Sequence, residues 1–362
     1  MNTDTHYNSF LWMALMLLTM VGTAQERVSK IIEKSFPLKE NGELQLENKY
    51  GTITLTGWDQ QNVKVVMNAK VNHRKREDAQ ELLDRIHPEI KSNSSFISVV
   101  SVIANRNSGW FADFFNKANP IDTDRSRVQI DYEVFLPKKA KLDITNRFGD
   151  ILIEDWSGSL NVVLEHGDLW LNESLNKADI QLAFGKIRAK NLDYTTIILD
   201  NGELTMDEAK NLRLTTEGSE IKIGKVNALE LNSNKDDIAI NEVGSVFGSL
   251  KFSTFKLQRL MDDAGLDLKI ADFVIYSIGQ ADAQIIIEQE SSDITLNVGE
   301  FSHLFDATLE QGVVRLPKSF ENVRSDMLDN GKKLRKIEAT YGDSKTGHIS
   351  ISGSKGIVTI ND

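Results

Sequence analysis

The chain has 362 residues, room for two or three ordinary domains or for one elongated unit. Its 53 acidic against 42 basic residues give a net charge of -11, which sets it against nucleic acid and anionic lipid. It contains no cysteine, which excludes a disulfide framework, a thiol nucleophile and a lipid-modified cysteine.

Residues 10–21 are a run of mostly apolar side chains followed by Gly22-Thr23-Ala24-Gln25. That length suits the core of a signal peptide and is too short to span a bilayer. The reading is a signal segment over 1–24 with cleavage before Gln25, although Asp4 and His6 stand ahead of the run where a basic residue is usual. No second apolar run is long enough for a membrane span, so an exported protein is expected, in the periplasm, on the outer envelope surface or outside the cell.

Residues 25–141 read as an N-terminal β region, with short strands at 44–46 and 51–55 and a longer one at 63–71. One short helix interrupts them at about 75–87. Ala79, Leu82, Leu83 and Ile86 make its apolar stripe, and Pro88 stops the pattern. Alternation resumes at 96–103 and 128–135. Between these lies a loop, 105–122, too long for a plain hairpin and unusually aromatic in Trp110, Phe111, Phe114 and Phe115.

From Leu142 to about residue 300 the chain repeats every sixteen to eighteen residues: Phe148-Gly149-Asp150-Ile151, His166-Gly167-Asp168-Leu169, Phe184-Gly185-Lys186-Ile187, Asn201-Gly202-Glu203-Leu204, Glu217-Gly218-Ser219-Glu220-Ile221. Aligned on the Gly, or on Asp236 where it is replaced, each copy carries apolar residues two and four places on: Ile151 and Ile153, Leu169 and Leu171, Leu204 and Met206, Ile238 and Ile240. Ile221 and Ile223 fit after a one-residue insertion. Spacing of two puts a pair on one face of a strand, so these pairs form inward ladders. A second apolar column falls seven or eight places on, at Trp58, Trp156, Leu175, Leu192, Ala209, Val226 and Val243, and a second short strand follows it.

A unit this short cannot fold alone and is stable only by stacking on its neighbours. Strand, turn, strand, turn with no room for a crossover helix predicts an all-β chain built as a β-solenoid. The Gly would supply positive φ at the turn. Residues 301–362 read as an irregular segment to 333, then capping strands at 336–339, 348–351 and 356–360.

The run Asp131-Tyr132-Glu133-Val134-Phe135-Leu136-Pro137, then 142–151 and the Gly-centred repeats, resembles the bacterial family of exported β-solenoid proteins provisionally named adhesins. Asn48-Lys49-Tyr50-Gly51-Thr52-Ile53 looks like the same motif used once before the helix. The resemblance spans roughly residues 40–360. It implies an envelope or surface location and a binding or scaffolding role, and it carries no catalytic residue over.

The chemistry in the sequence points the same way. Asp150, Asp168 and Glu203 follow successive glycines, but Lys186 breaks that column and Ser219 weakens it; a solvated turn edge accounts for them better than calcium does. The histidines, at 6, 73, 87, 166, 303 and 348, never pair at metal-ligand spacing. There is no nucleophile elbow, phosphate loop or dinucleotide fingerprint. The expectation is no enzyme, no catalytic residue, no metal and no cofactor.

Candidate contact residues are the aromatic loop Trp110, Phe111, Phe114 and Phe115, and an outward pair, Trp170 with Arg188, on a flat sheet face. The partner class is a surface or envelope protein or a polysaccharide. Two other readings stand beside this: a carbohydrate-active β-helix enzyme, and a structural or signalling accessory of the envelope.

Overall fold

Alternation of aliphatic and polar residues makes nearly all of this chain strand. The computed structural model describes residues 26–104, 128–343 and 346–362. Among them are 27 strands joined in one hydrogen-bonded network, and one helix, Arg76–Arg85. The chain is all-β.

The inward ladders form as the spacing requires. Ile187, Leu204, Ile221, Ile238 and Phe255 are successive partners in parallel register, as are Ile197, Leu214 and Leu231, and all are buried. Partners lie 17 residues apart, so every rung lays like residue on like residue. In the four central rungs, Lys186–Asp200, Glu203–Glu217, Glu220–Asn234 and Asp237–Lys251, the two expected strands are one 15-residue strand. Pairing lapses only around the inward Leu192, Ala209 and Val226, where the strand bends without a turn.

The other corner corrects the expected role of glycine. Gly51 (φ 125°) and Gly149 (φ 136°) take positive φ as expected, but in later rungs it belongs to the residue before the tight place: His166 (φ 52°), Phe184 (φ 60°), Asn201 (φ 52°), Lys235 (φ 61°), Phe252 (φ 54°) and Ile270 (φ 50°). The glycine is needed for space. A Cβ on Gly167 would sit 2.2 Å from the Gly149 carbonyl oxygen, and one on Gly185 1.9 Å from that of Gly167. In the copy with Gly218, that glycine takes the positive-φ place (φ 62°) and Ser219 takes the tight place, so no insertion exists. Asp236 fills the tight place one rung on, buried, where its carboxylate accepts from Thr216 Oγ1 (2.5 Å), Ser233 Oγ (2.6 Å) and the Ser219 and Asn234 amides (2.7 and 3.0 Å). Four donors offset the cost of burying that carboxylate.

At the N-terminal end, the rung 43–58 stacks on 141–154 through Leu44 to Leu142 and Ile53 to Ile151. The chain then leaves the stack to build its cap. Asn62–His73 lies antiparallel between Glu26–Pro37 and Val128–Pro137, and the helix packs on Glu26–Pro37 and Asn62–His73 with Ala79 and Leu83 buried. The helix ends at Arg85, before Pro88. That proline lies inside an edge strand, Ile86–Ser92, paired on one side only, where its missing N–H costs nothing. Glu26–Pro37, read from sequence only as a charged stretch, is a 12-residue strand. A buried chain of hydrogen bonds ties cap to stack: Tyr132 Oη to Ser101 Oγ (2.8 Å), Ser101 Oγ to Asn48 Oδ1 (2.9 Å), and Asn48 Nδ2 to the Ile130 carbonyl (3.0 Å). Burial there pushes the Tyr132 hydroxyl up to about 12. Trp156 is core, donating Nε1–H to the Ala140 carbonyl. Trp58, expected beside it in the core, is only half-buried and lies against Phe135 at 5.5 Å, because the neighbouring rung at that point is the strand 128–137 of the cap.

The C-terminal end is threaded out of sequence order. The last strands, Gly347–Ser354 and Ile357–Asn361, pair with Gln284–Glu290 and Asp293–Asn297 on one side and with His303–Glu310 and Val313–Arg315 on the other. Residues 301–333, read as irregular, thus hold three strands, and the final residues form an inner rung.

If the tight corner and the outward face are assigned correctly, Gly167→Val destabilises by about 3 kcal/mol or more and Trp170→Ala by under about 1 kcal/mol, read by urea unfolding followed by circular dichroism. Equal losses in the two variants would contradict the assignment.

Candidate functional site

The outward column of one sheet face runs Leu152, Trp170, Arg188, Thr205, Lys222. Trp170 is half-buried and Arg188 exposed, with the guanidinium carbon 5.9 Å from the ring centre. Alternation alone puts them there, since each stands between two inward aliphatics. Trp110, Phe111, Phe114 and Phe115 lie outside the described residues.

A stronger aromatic feature stands at the corner. Tyr50, Phe148, His166 and Phe184 occupy the place before the tight glycine in successive rungs, and their rings stack at 5.7, 5.2 and 4.9 Å with planes within 8°. Phe148 is 43% and Phe184 53% exposed. The signal was present in the sequence as an aromatic before each Gly, but aligned on the glycine for turn geometry it read as turn residues, His166 included. Only the register stacks these residues in one column.

The stack ends at Phe184. In the next rungs the same place holds Asn201, then Gly218 with no side chain, then Lys235. This leaves a hollow of about 530 Å³ lined by Phe184, Asn201, Gly218, Lys235, Lys186, Glu203, Glu220 and Asp237. The outer part of one Phe184 face opens onto it. Lys186 Nζ lies 2.8 Å from Glu203, and this contact holds the Glu203 carboxyl below the usual carboxylate range. Trp170 and Arg188 are not among the residues that line the hollow.

The acidic column is longer than the sequence reading had it, because Glu220, and not Ser219, follows Glu203 in register. Its first two members are already engaged. Asp150 accepts the Asp168 amide (2.9 Å) and Asp168 the Lys186 amide (3.0 Å), each stapling one rung to the next. Among the described residues no group of three or more His, Asp or Glu side chains could hold a metal ion. No described helix is long and apolar enough to cross a membrane.

No protein-family profile matches the chain, and no curated protein matches it. Solved structures do. A protein from Clostridium sporogenes, provisionally named a cell adhesion protein, is 11% identical, with 92% of this chain and 98% of that one covered at a TM-score of 0.16. Provisionally named adhesins from Bacteroides fragilis (9% identity, 91% and 97% covered, TM-score 0.29) and Parabacteroides distasonis (12%, 74% and 92%, 0.30) are similar in the same way. Superpositions this loose support no inference about its ligand.

The histidines do not converge on the hollow. His303 is buried in the last rung against Phe301, Phe320 and Tyr341; its Nδ1 lies 2.6 Å from the Phe301 carbonyl and its Nε2 has no partner among the described residues. Burial lowers its pKa, the bond to Phe301 opposes this, and the nearby His348 adds to it. His348 itself meets Asp306 at 2.6 Å. A histidine kept neutral in the fold takes up a proton on unfolding below its ordinary value of about 6.5, so its contribution to stability is present above that pH and lost below it. The wild type should therefore lose more stability between pH 8 and pH 5 than His303→Phe does, measured by urea unfolding at both. An identical loss in the two would remove His303 from the account.

Proposed function

We propose that this chain is an exported, non-enzymatic β-solenoid that binds a polysaccharide at the corner hollow beyond Phe184. The observation that carries the reading is the choice of residue at the corner. Every corner needs positive φ, and Asn201 and Gly218 meet that need cheaply, whereas Phe184 holds a large exposed ring in the same conformation at greater cost. Phe252 and Ile270 bear the same cost, and what sets Phe184 apart is that its ring continues the stack of Tyr50, Phe148 and His166 and lines the hollow at its end.

The surroundings suit a sugar. An aromatic face offers stacking to the apolar face of a pyranose, and the carboxylates of Glu203, Glu220 and Asp237 accept hydrogen bonds from its hydroxyls. Lys186 and Lys235 in the same lining supply donors. Trp170 extends the aromatic surface, and the loop 105–122 adds candidate contacts through Trp110, Phe111, Phe114 and Phe115. Glu203 is paired with Lys186 and Glu220 with Lys222, which suits these carboxylates to holding hydroxyls more than to acid and base work. The segment 1–24 would direct export, placing the protein in the periplasm, on the outer envelope surface or outside the cell.

Affinity electrophoresis of the chain against a panel of neutral and acidic polysaccharides tests this. Retention by at least one glycan is expected, with no release of reducing ends, and Phe184→Ala should weaken it about tenfold, the loss of one stacked ring. Cleavage of the glycan, or retention indifferent to Phe184, would overturn the reading.

A further inference from the structure

The strand Glu321–Asp329 is the last in its sheet face. It pairs with Leu334–Tyr341 on one side, and among the described residues nothing pairs with its other edge. All nine of its residues are exposed, including Val323 (54%), Met327 (42%) and Leu328 (54%). A strand bare on both faces and along one edge is poorly stabilised and open to pairing with another chain.

We propose that this edge pairs with the same edge of a second copy, antiparallel about Ser325. The sequence is self-complementary in that register. Arg324 of each copy falls opposite Asp326 of the other, which gives two reciprocal ion pairs, and on the opposite face Val323 falls opposite Met327 twice. Glu321 and Asp329 would meet as like charges at the ends, but register shifts between Glu321 and Arg324 and between Met327 and Asp329 take these two residues out of regular pairing. Asn322 at φ 52° marks the first of these shifts. A twofold axis through Ser325 gives an isologous dimer with a continuous four-stranded ribbon between two stacks. This surface lies at the end of the stack and is independent of the corner hollow.

Light scattering on the full chain across a concentration series, for Arg324→Asp, for Asp326→Arg and for an equimolar mixture of the two, tests the register. The wild type should dimerise. Each substitution alone sets like charges opposite each other twice and should weaken self-association by at least about tenfold, while the mixture, in which every Asp again faces an Arg, should restore the dimer. Restoration on mixing also answers the concern that either variant has lost its ribbon, since Arg324 faces Glu338 and Asp326 faces Lys336 within the chain. A monomeric wild type, a dimer indifferent to both substitutions, or a mixture that stays monomeric would each overturn the proposal.

Discussion

Everything in this structure depends on how closely one rung approaches the next at a single corner. Parallel pairing fixes the spacing between rungs, and at the corner the backbone of one rung presses on the carbonyl of the last so tightly that a Cβ on Gly167 or Gly185 would overlap it. The chain must then turn with positive φ, at Gly51 and Gly149 themselves in the first copies and at the residue before the tight place from His166 on. These two demands recur at every rung. They divide each repeat into inward aliphatic positions that hold the stack, a tight position that limits residue choice, and outward positions that the fold leaves free.

That division says where function can be written. The inward ladders are held to apolar side chains, mostly Ile, Leu and Val with Ala, Met and Phe in places, and the tight place takes Gly, Ser or Ala, or in one rung an Asp surrounded by four donors. The positive-φ place is different, because its side chain points to solvent. There the chain carries His, Phe, Asn, Gly, Lys, Phe and Ile in turn, a variety that folding does not ask for. Tyr50, Phe148, His166 and Phe184 are consecutive in the stack and Asn201 and Gly218 follow, which produces a ring face beside a hollow instead of an even edge.

Much of the architecture was legible because a period of two within a period of about seventeen can hardly arise except from stacked strands. Ile187 over Leu204 over Ile221, the outward Trp170 between Leu152 and Arg188, and the Asn48 to Gly51 motif outside the main run all followed from spacing. What was not legible depended on contacts distant in sequence. Glu26–Pro37 lies at an edge, so its exposed, charged face hid the strand. Residues 347–361 are sequentially last yet lie inside the stack, an order no local pattern encodes. Glycine was credited with a dihedral role throughout, which Gly51, Gly149 and Gly218 play, whereas at Gly167, Gly185 and Gly202 its role is steric, because a sequence shows residue type and not how near the next rung lies. The corner column was missed for the same reason: Tyr50, Phe148, His166 and Phe184 are far apart in the chain and meet only when the register is known.

The account's central claim is that the outward corner beyond Phe184 is where a glycan docks. Hydrogen exchange of backbone amides, read by mass spectrometry with and without a retained polysaccharide, tests it most directly. Slowed exchange confined to the corner segments 184–187, 201–204 and 218–221 is the predicted result. Protection that leaves these segments unchanged and appears instead around Tyr194 and Phe247 on the opposite sheet face would contradict it.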